Sequence, residues 1–460
     1  MFDTKDTIAA IATPSGKAGI SIVRISGSLA YEIGQNIFIP INKEKGKKIS
    51  RTLAYGHIYD PSTGEVIDEV LISFMRSPYS FTRDDVIEIN CHGGSVLSRK
   101  ILSIILNLGA RLAEPGEFTY RAFVNGRIDL TQAEATMDMV NAVSERGVKI
   151  AAEQLQGAFR ENVDEIRNNL FDILAMAESA IDYPDEIETD FNDMICDIDD
   201  KLIKPIEKTI KNHGQKSIWI EGAKIVITGS VNVGKSSIFN RMAGEERAIV
   251  TDIPGTTRDA VEIPFNMDNI PALIIDTAGI RDSHDAVEKI GIDLAFRKLD
   301  EADLILFVVD LTKSVNESDL KIKERCKGKT VLIVGNKVDS AILKTDEDQL
   351  NIFAMPYKSV MVSALTGEGF DTFYATVSDL LIGDEFEPVN RSDGYMRHCE
   401  YLKEAGKFFK NAVSALSESA PVEIAAFELK EGLDMLGKIT GETADDEILN
   451  RIFSRFCLGK

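Results

Sequence analysis

The segment Gly-Ser-Val-Asn-Val-Gly-Lys-Ser at 229–236 constrains this chain most strongly. A β-branched run at 225–228 precedes it, and a helix-like stretch at 237–243 follows it. A strand, a glycine-rich loop and a helix in this order are typical of a phosphate-binding loop. The glycines let backbone N–H groups turn toward phosphates, and the helix N-terminus adds partial positive charge. We therefore predict that Lys235 contacts the β and γ phosphates of a nucleotide and that Ser236 binds Mg²⁺.

A second motif indicates which base the nucleotide carries. Asn336, Lys337 and Asp339 follow an apolar run at 331–334. A carboxylate at the end of such a strand can accept hydrogen bonds from both N1–H and N2–H₂ of guanine, and adenine offers no comparable pair. Ser363-Ala364 follows another strand-like run at 360–362 and fits a loop whose backbone N–H meets guanine O6. We therefore expect the nucleotide to be GTP.

A third motif, Asp276-Thr277-Ala278-Gly279, follows an apolar run at 272–275. Asp276 is expected at the carboxyl edge of the sheet, where the metal and γ-phosphate would lie, and Gly279 can offer its N–H to that phosphate. Ile280 stands where Ras-like switches carry the glutamine that orients the attacking water. Another group must position that water. Asn232 has a side-chain carbonyl near the phosphates, and an oxygen cage around a monovalent cation would supply the charge of an absent arginine finger.

Length and composition limit the class of protein. A chain of 460 residues is too long for one core, and three domains are expected. The five cysteines are scattered without metal-ligand spacing, which indicates a reducing compartment. The sequence has neither an N-terminal signal nor an apolar run near about 18 residues. We expect a cytoplasmic protein with no membrane span.

The charge distribution bears on any nucleic-acid partner. A net charge of −22 is unfavourable for RNA binding, so any RNA contact must be local or shared with a partner. One basic cluster lies at 43–51 and is interpreted as a solvated loop. Nine acids and no Lys or Arg occur at 182–200, which we interpret as a solvated connection between helices.

Hydrophobic patterns divide the chain into domains. Short alternating or apolar runs with one helical stretch predict an α+β domain at 1–120, and the helical spacing beyond it predicts a helical domain at 121–215 and 381–460. The α/β P-loop domain at 216–380 is then an insertion in the helical domain. The pattern from Thr443 to Asp446 resembles a capping box that opens a last helix.

The whole chain resembles the MnmE (TrmE) family of tRNA-modification GTPases. Outside the P-loop domain the resemblance rests on Ala12-Thr13-Pro14, Ile22-Val23-Arg24-Ile25-Ser26-Gly27, Glu88-Ile89-Asn90-Cys91-His92-Gly93-Gly94, Pro115-Gly116-Glu117-Phe118-Thr119, Asn125-Gly126-Arg127, Asp129-Leu130-Thr131-Gln132-Ala133-Glu134-Ala135 and Cys457-Leu458-Gly459-Lys460. These motifs extend over essentially the full length. A GTPase with an unrelated role would share only the central part.

The resemblance implies a potassium-dependent GTPase that works with an FAD-binding partner (MnmG, also called GidA) in a heterotetramer or larger complex. It also implies a homodimer and a tRNA substrate. The reaction would place a 5-(carboxymethyl)aminomethyl-type group on the wobble uridine of certain tRNAs. The one-carbon unit would come from a tetrahydrofolate derivative, 5-formyl or 5,10-methylene, bound by the N-terminal domain.

The resemblance also implies roles for individual residues. GTP contacts fall on Asn232, Val233, Gly234, Lys235, Ser236, Ser237, Thr251, Asp252, Ile253, Pro254, Gly255, Thr256, Thr257, Asp276, Thr277, Ala278, Gly279, Asn336, Lys337, Asp339, Ser363 and Ala364. The K⁺ ligands would be Asn232, Thr251, Ile253 and Thr256, and the Mg²⁺ ligands Ser236 and Thr257. The folate contacts would be Arg24, Glu88, Arg127 and Lys460. Catalytic roles would fall on Lys235, on Glu288, which would orient the attacking water, and on Cys457 in the modification chemistry.

Two positions depart from the family pattern. Val231 stands where the family commonly has proline, and Pro254 where it usually has a small residue. Valine can adopt the same extended conformation, so nucleotide binding should survive with a more flexible loop.

Two other functions stay open at this point. One is a GTP-gated ribosome or RNA assembly factor without modification activity, although such factors usually carry a KH module and 381–460 lacks its Gly-x-x-Gly loop. The other is a folate-dependent transferase regulated by a G domain.

Overall fold

A computed structural model describes residues 4–14, 16–41, 52–183, 191–244, 262–267, 270–276, 298–340, 342, 345–383 and 393–459. The chain forms two compact units. The first comprises Met1–Met137, Gln154–Asn168 and Ala426–Lys460, and the second comprises Asp138–Glu153 and Asn169–Ala425.

The first unit contains a seven-stranded sheet with the order β3-β4-β5-β6-β2-β1-β7. Its strands are β1 (Ile8–Ile11), β2 (Ile20–Ser26), β3 (Phe38–Pro40), β4 (Leu53–Tyr59), β5 (Val66–Met75), β6 (Val86–His92) and β7 (Arg111–Leu112). Neighbouring strands are antiparallel except β1 and β7, which are parallel. Strands β2, β5 and β6 lie on the short alternating or apolar runs from which an α+β domain was predicted.

Alternation along β2 and β6 separates a core face from an open face. Val23 and Ile89 are buried in one cluster with residues of helices α1 (Ala30–Ile37) and α2 (Ser95–Asn107). Arg24 and Glu88 point to the other face and lie directly opposite each other in the antiparallel register. The sheet therefore pairs two of the predicted folate contacts.

Helices complete the first unit. They are α3 (Glu117–Val124), part of α4 (Leu130–Asn141), parts of α5 (Glu145–Leu155), α6 (Ala158–Asp182) and α14 (Val422–Thr440), and α15 (Asp446–Phe453). The ring of Phe453 lies 5.2 Å from that of Tyr120 and 5.4 Å from that of Phe456, centroid to centroid. These aromatic contacts fix the end of the chain against α3.

The last helix forms as predicted, but the predicted capping box is wrong. Asp445 is the N-cap, and its carboxylate accepts a hydrogen bond from the Ile448 N–H at 2.8 Å. Thr443 lies two residues before this cap and donates its hydroxyl to the Asp434 carbonyl at 3.2 Å. The aspartate is one of the strongest N-cap residues, so it begins the helix in place of the threonine.

Beyond α15 the chain end returns to the sheet. Gly459 has φ +89°, and a Cβ there would lie 2.7 Å from the Ile11 carbonyl oxygen. Only glycine fits this conformation and this close approach. The terminal peptide is thus held beside β1 and β2.

The second unit contains a six-stranded sheet with the order β13-β12-β11-β8-β10-β9. Its strands are β8 (Ala223–Gly229), β9 (Glu262–Met267), β10 (Ile270–Asp276), β11 (Leu304–Asp310), β12 (Val331–Asn336) and β13 (Lys358–Val362). All neighbours are parallel except β9 and β10. Strands β11 and β12 are buried throughout, as parallel strands covered on both faces are. The carboxyl ends of β8, β10, β11 and β12 meet at one edge.

The helices of the second unit that follow the sheet strands are α9 (Lys235–Gly244), α10 (Glu317–Arg325), α11 (Glu347–Ala354) and α12 (Phe370–Ile382). Helix α8 (Lys204–Glu221) precedes the sheet and α13 (Asp393–Ser417) follows it. The two helices contact each other through His213 and His398, whose ring nitrogens lie 3.2 Å apart. Packing of the helices before and after the sheet is what an inserted domain would produce.

The acidic stretch is partly helical, so its interpretation as a solvated connection is wrong from residue 191 onward. Helix α7 (Phe191–Ile198) and a π-helical turn (Asp199–Ile203) occupy it. Met194, Ile198 and Leu202 recur every four residues and are buried, and this apolar face stabilises the helix despite the acids. Residues 184–190 lie outside the described part.

The predicted fold class is confirmed: an α+β domain, helices and an α/β P-loop domain are all present. The domain limits 1–120, 121–215 with 381–460, and 216–380 stay a prediction, because α4, α5, α6 and α14 contribute residues to both units. Among the described helices, none combines the length and the apolar character needed to cross a membrane.

Candidate functional site

The predicted phosphate-binding loop connects β8 to α9. Gly229, Asn232 and Gly234 have φ values of +147°, +64° and +98°, which is the left-handed backbone such a loop needs. A Cβ on Gly229 would lie 2.3 Å from the Val308 carbonyl oxygen of the neighbouring strand. The strand, loop and helix expected from the sequence are therefore present.

Lys235 begins α9 and is 8% exposed. Its ammonium donates to the carbonyls of Gly229 at 3.0 Å and Ser230 at 2.7 Å. These bonds hold the positive charge inside the loop, at the N-terminus of a helix, where an anion is stabilised. Ser236 follows in the first turn and is exposed, in a place that suits a hydroxyl ligand of Mg²⁺.

Asn336 connects the phosphate loop to the second predicted base-binding loop. Its Nδ2 donates to the Val233 carbonyl at 3.0 Å, and its Oδ1 accepts from the Ala364 N–H at 3.1 Å. The side chain is buried, with 1% of its surface exposed. A single amide thus joins position 233 of one loop to position 364 of another, although the two positions are 131 residues apart in the sequence.

Asp339 contacts the loop that contains Ser363 and Ala364. The hydroxyl of Ser363 donates to Asp339 Oδ1 at 2.5 Å. Ser363 is buried and Asp339 is exposed, so the Ser363 hydroxyl orients a carboxylate that stays accessible to a ligand. This arrangement suits recognition of paired N–H groups.

Sequence reasoning missed Asp310. Lys337, at φ +73°, donates its ammonium to Asp310 Oδ2 at 2.6 Å and to the Asn232 carbonyl at 3.1 Å. Burial raises the pKa of Asp310, but hydrogen bonds from Lys337 and Thr312 outweigh it and hold that pKa below its usual value. The available signal was that Asp310 ends β11, between β8 and β12, at the edge that carries the other site residues.

A second group of predicted residues meets on the open face of the first sheet. Arg24 donates through Nε to Glu88 Oε1 at 2.8 Å and through Nη1 to the Gly459 carbonyl at 3.0 Å. Both side chains are partly exposed, at 20% and 25%. The pair and the chain end are therefore accessible to a ligand.

Phe81 joins Arg24 to Arg127, and sequence reasoning missed it. The guanidinium carbons of Arg24 and Arg127 lie 5.6 Å and 4.7 Å from its ring centroid, and Arg127 Nη1 donates to its carbonyl at 3.0 Å. Burial, together with the positive charge of Arg83, lowers the pKa of Arg127. An open groove of about 640 Å³ lies here, lined by Met75, Pro78, Tyr79, Ser80, Phe81, Arg83 and Arg127. Aromatic rings with arginines suit a flat heterocycle and carboxylates.

Comparison with known proteins gives matches over both units. The family described as GTP-binding protein TrmE N-terminus matches residues 7–127, and the MnmE helical domain family matches residues 130–457. The tRNA modification GTPase MnmE of Carboxydothermus hydrogenoformans is 44% identical over 99% of this chain and 100% of that protein. The chain belongs to the MnmE (TrmE) family.

A second relative has the same name. The tRNA modification GTPase MnmE of Thermoanaerobacter pseudethanolicus is 44% identical over 99% of each chain. The solved G domain of the FeoB iron transporter of T. maritima is 26% identical, covers 34% of this chain and 98% of that chain, and gives a TM-score of 0.28.

Several predicted site residues lie outside the described part of the chain. They are Thr251, Asp252, Ile253, Pro254, Gly255, Thr256, Thr257, Thr277, Ala278, Gly279, Glu288 and Lys460. The basic cluster at 43–51 also lies outside the described part. Asp276 ends β10 as predicted, at the carboxyl edge of the sheet.

Cys457 follows α15 and is exposed, two residues before Gly459 in the same chain end. Within the described residues no group of three or more His, Cys, Asp or Glu is placed to hold a metal. Val231, which stands where the family commonly has proline, is 69% exposed.

Proposed function

We propose that this protein hydrolyses GTP and uses hydrolysis in tRNA modification. With an FAD-binding partner of the MnmG (GidA) type, it would form the 5-(carboxymethyl)aminomethyl-type group on the wobble uridine of certain tRNAs. The observation that carries GTP binding is the Asn336 amide, which bonds both Val233 of the phosphate loop and Ala364 of the base loop. Family membership supports the tRNA role.

Guanine selection is assigned to Asp339, with Asn336 and the loop at 363–364 around it. Replacing Asp339 by Asn puts an N–H₂ donor opposite the guanine donors, so the variant should prefer xanthosine triphosphate. A mismatch of this kind shifts specificity by roughly 10⁴-fold. Asp348→Asn, an exposed position in the first turn of α11, is the control. Undiminished GTP selectivity in Asp339→Asn, measured by calorimetry with both nucleotides, would reject the assignment.

Hydrolysis is proposed to depend on K⁺. Asn232 is exposed on the phosphate loop, where its backbone carbonyl accepts from Lys337, and its side-chain oxygen is proposed as one ligand of the cation. The carbonyls of Thr251, Ile253 and Thr256 would complete the cage, with Ser236 and Thr257 on Mg²⁺. Glu288 would orient the attacking water, since Ile280 has no polar group to do so.

The open face of the first sheet at Arg24 and Glu88, together with the groove that Phe81 and Arg127 line, is proposed to bind a tetrahydrofolate derivative, 5-formyl or 5,10-methylene, which supplies a one-carbon unit. The Glu88 carboxylate would accept paired N–H groups of the pterin ring, while Arg127 and Lys460 would meet the glutamate tail. Arg24 fits a positioning role, because it holds Glu88 and the Gly459 carbonyl together. Cys457 lies close to this chain end in sequence and is proposed to take part in the chemistry.

The partners follow from the same proposal. The protein would act in the cytoplasm as a homodimer that joins its FAD-binding partner in a heterotetramer or larger complex. A chain with a net charge of −22 needs that partner to supply much of the positive surface for tRNA.

A further inference from the structure

Arg241 on helix α9 contacts the loop at 363–367 through three consecutive carbonyls. Its Nη1 donates to Ala364 at 3.1 Å and to Leu365 at 3.2 Å, and its Nη2 donates to Thr366 at 3.3 Å. A planar guanidinium offers several donors in fixed directions, so one side chain can hold three peptide groups at once. The helix that begins with Lys235 thus also carries the support for the distant base loop.

The fit around this guanidinium is close. Gly367 has φ +91°, and a Cβ there would lie 2.0 Å from Arg241 Nη2. The guanidinium carbon also lies 5.3 Å from the ring centroid of Phe370, within the range of a cation–π contact. The loop and the first turn of α12 are therefore shaped around Arg241.

The loop that Arg241 holds in turn orients two side chains of the guanine site. Ser363 donates its hydroxyl to Asp339 at 2.5 Å, and the Ala364 N–H donates to Asn336 Oδ1 at 3.1 Å. A shift of the loop away from α9 would remove both of these bonds, while Asn336 would keep its own bond to the Val233 carbonyl of the phosphate loop. The phosphate-side contacts of Lys235 with Gly229 and Ser230 do not involve the loop.

We propose that Arg241 is a positioning residue for guanine recognition, acting through the loop at 363–367 on Asp339 and Asn336. This inference rests on the proposed function, in which those two side chains contact the base. It sets the affinity for guanine nucleotides without touching the nucleotide. Phosphate binding and the rate of hydrolysis at saturating GTP are left unchanged.

The test compares Arg241→Ala, Arg241→Lys and the control Asn240→Ala, an exposed neighbour on α9, in the full-length protein. Calorimetry with GTP and GDP, and competition with inorganic tripolyphosphate, which has phosphates and no base, give the affinities. Arg241→Ala should weaken GTP and GDP equally, by about tenfold, as loss of charge-assisted bonds does. Tripolyphosphate affinity and kcat should stay within about twofold, and Arg241→Lys should restore part of the loss because it keeps one or two donors.

Two results would overturn the proposal: unchanged GTP affinity in Arg241→Ala, or equal weakening of GTP and tripolyphosphate, which would indicate damage to α9 and the phosphate loop. The Asp339→Asn variant measured in parallel separates this from the proposed function. If Asp339→Asn switches to xanthosine triphosphate while Arg241→Ala binds GTP normally, only the role of Arg241 fails.

Discussion

Gly234 and Asn336 are in such close contact that a Cβ on Gly234 would lie 2.2 Å from Asn336 Nδ2. The glycine of the phosphate loop is thus required by two independent conditions, a φ of +98° and the approach of the base-site amide. The phosphate and base halves of the site are joined at this point.

Gly234→Ala should therefore affect the whole nucleotide and not the phosphates alone. The methyl group would displace Asn336 from Val233 and Ala364, and alanine would be strained at this φ. We expect GTP affinity to fall about a hundredfold or more. Calorimetry with GTP checks this, and Gly244→Ala, at the end of α9 where a Cβ meets nothing within 4 Å, is the control. Normal GTP binding by Gly234→Ala would show that the loop relaxes around the methyl group.

Asp310→Asn should destabilise the second unit in a pH-dependent way. Asp310, with 2% of its side chain exposed, accepts from Lys337 and Thr312, and its pKa lies below the ordinary value near 3.8. The stabilisation by the charged form is therefore fully present above that ordinary pKa and is lost as pH falls through the lower folded pKa. At pH 7 the variant should lose about 2 kcal/mol, because the Lys337 charge loses its partner.

Urea unfolding measured from neutral to acidic pH checks this prediction. The deficit of Asp310→Asn should shrink on acidification below the ordinary aspartate pKa. Asp300→Asn is the control, because it removes an exposed ion pair with Lys329 in which the aspartate is 71% exposed. A deficit that stays constant with pH would contradict the charged role of Asp310.

GTP turnover should depend on the cation. In NaCl at the same ionic strength as KCl, kcat should fall by about tenfold or more, since a charge at this position in other GTPases contributes roughly 10³–10⁵ in rate. Glu288→Ala should lose hydrolysis and keep GTP affinity, while Glu347→Ala, an exposed glutamate on α11, should keep both. Equal turnover in the two salts would exclude the cation mechanism, and an active Glu288→Ala enzyme would exclude the water-orienting role.

Removing the last two residues, Gly459 and Lys460, should weaken binding of 5-formyltetrahydrofolate. The deletion takes away the carbonyl that accepts from Arg24 Nη1 and the terminal lysine charge. We expect about a tenfold loss of affinity by calorimetry on the otherwise full chain. Glu447→Gln, exposed on α15, is the control. Unchanged affinity would mean that the groove binds folate without the chain end.

Short-range rules were sufficient for the elements and motifs of the nucleotide site. The strand, loop and helix around Lys235 and the loops carrying Asn336 and Asp339 were predicted because glycine spacing and apolar runs determine them locally. The sheet places Arg24 opposite Glu88, and the role of both residues in folate binding stays a prediction.

Contacts between distant segments were not predictable in this way. Asp310 meets Lys337, and Phe81 meets Arg24 and Arg127, only after the sheets have formed, and neither Asp310 nor Phe81 belongs to a recognised motif. The helix at 191–198 was missed because its acid content obscured a narrow apolar face. The cap of the last helix was misplaced by two residues because threonine and aspartate compete locally as N-cap residues.

The central claim, GTP hydrolysis coupled to tRNA modification, is tested most directly by mass spectrometry of wobble nucleosides from a strain that lacks this protein. The 5-(carboxymethyl)aminomethyl-type uridine should be absent, and the wild-type chain should restore it while Gly234→Ala should not. An unchanged nucleoside profile in the deletion strain, or full restoration by a variant that cannot bind GTP, would contradict the account.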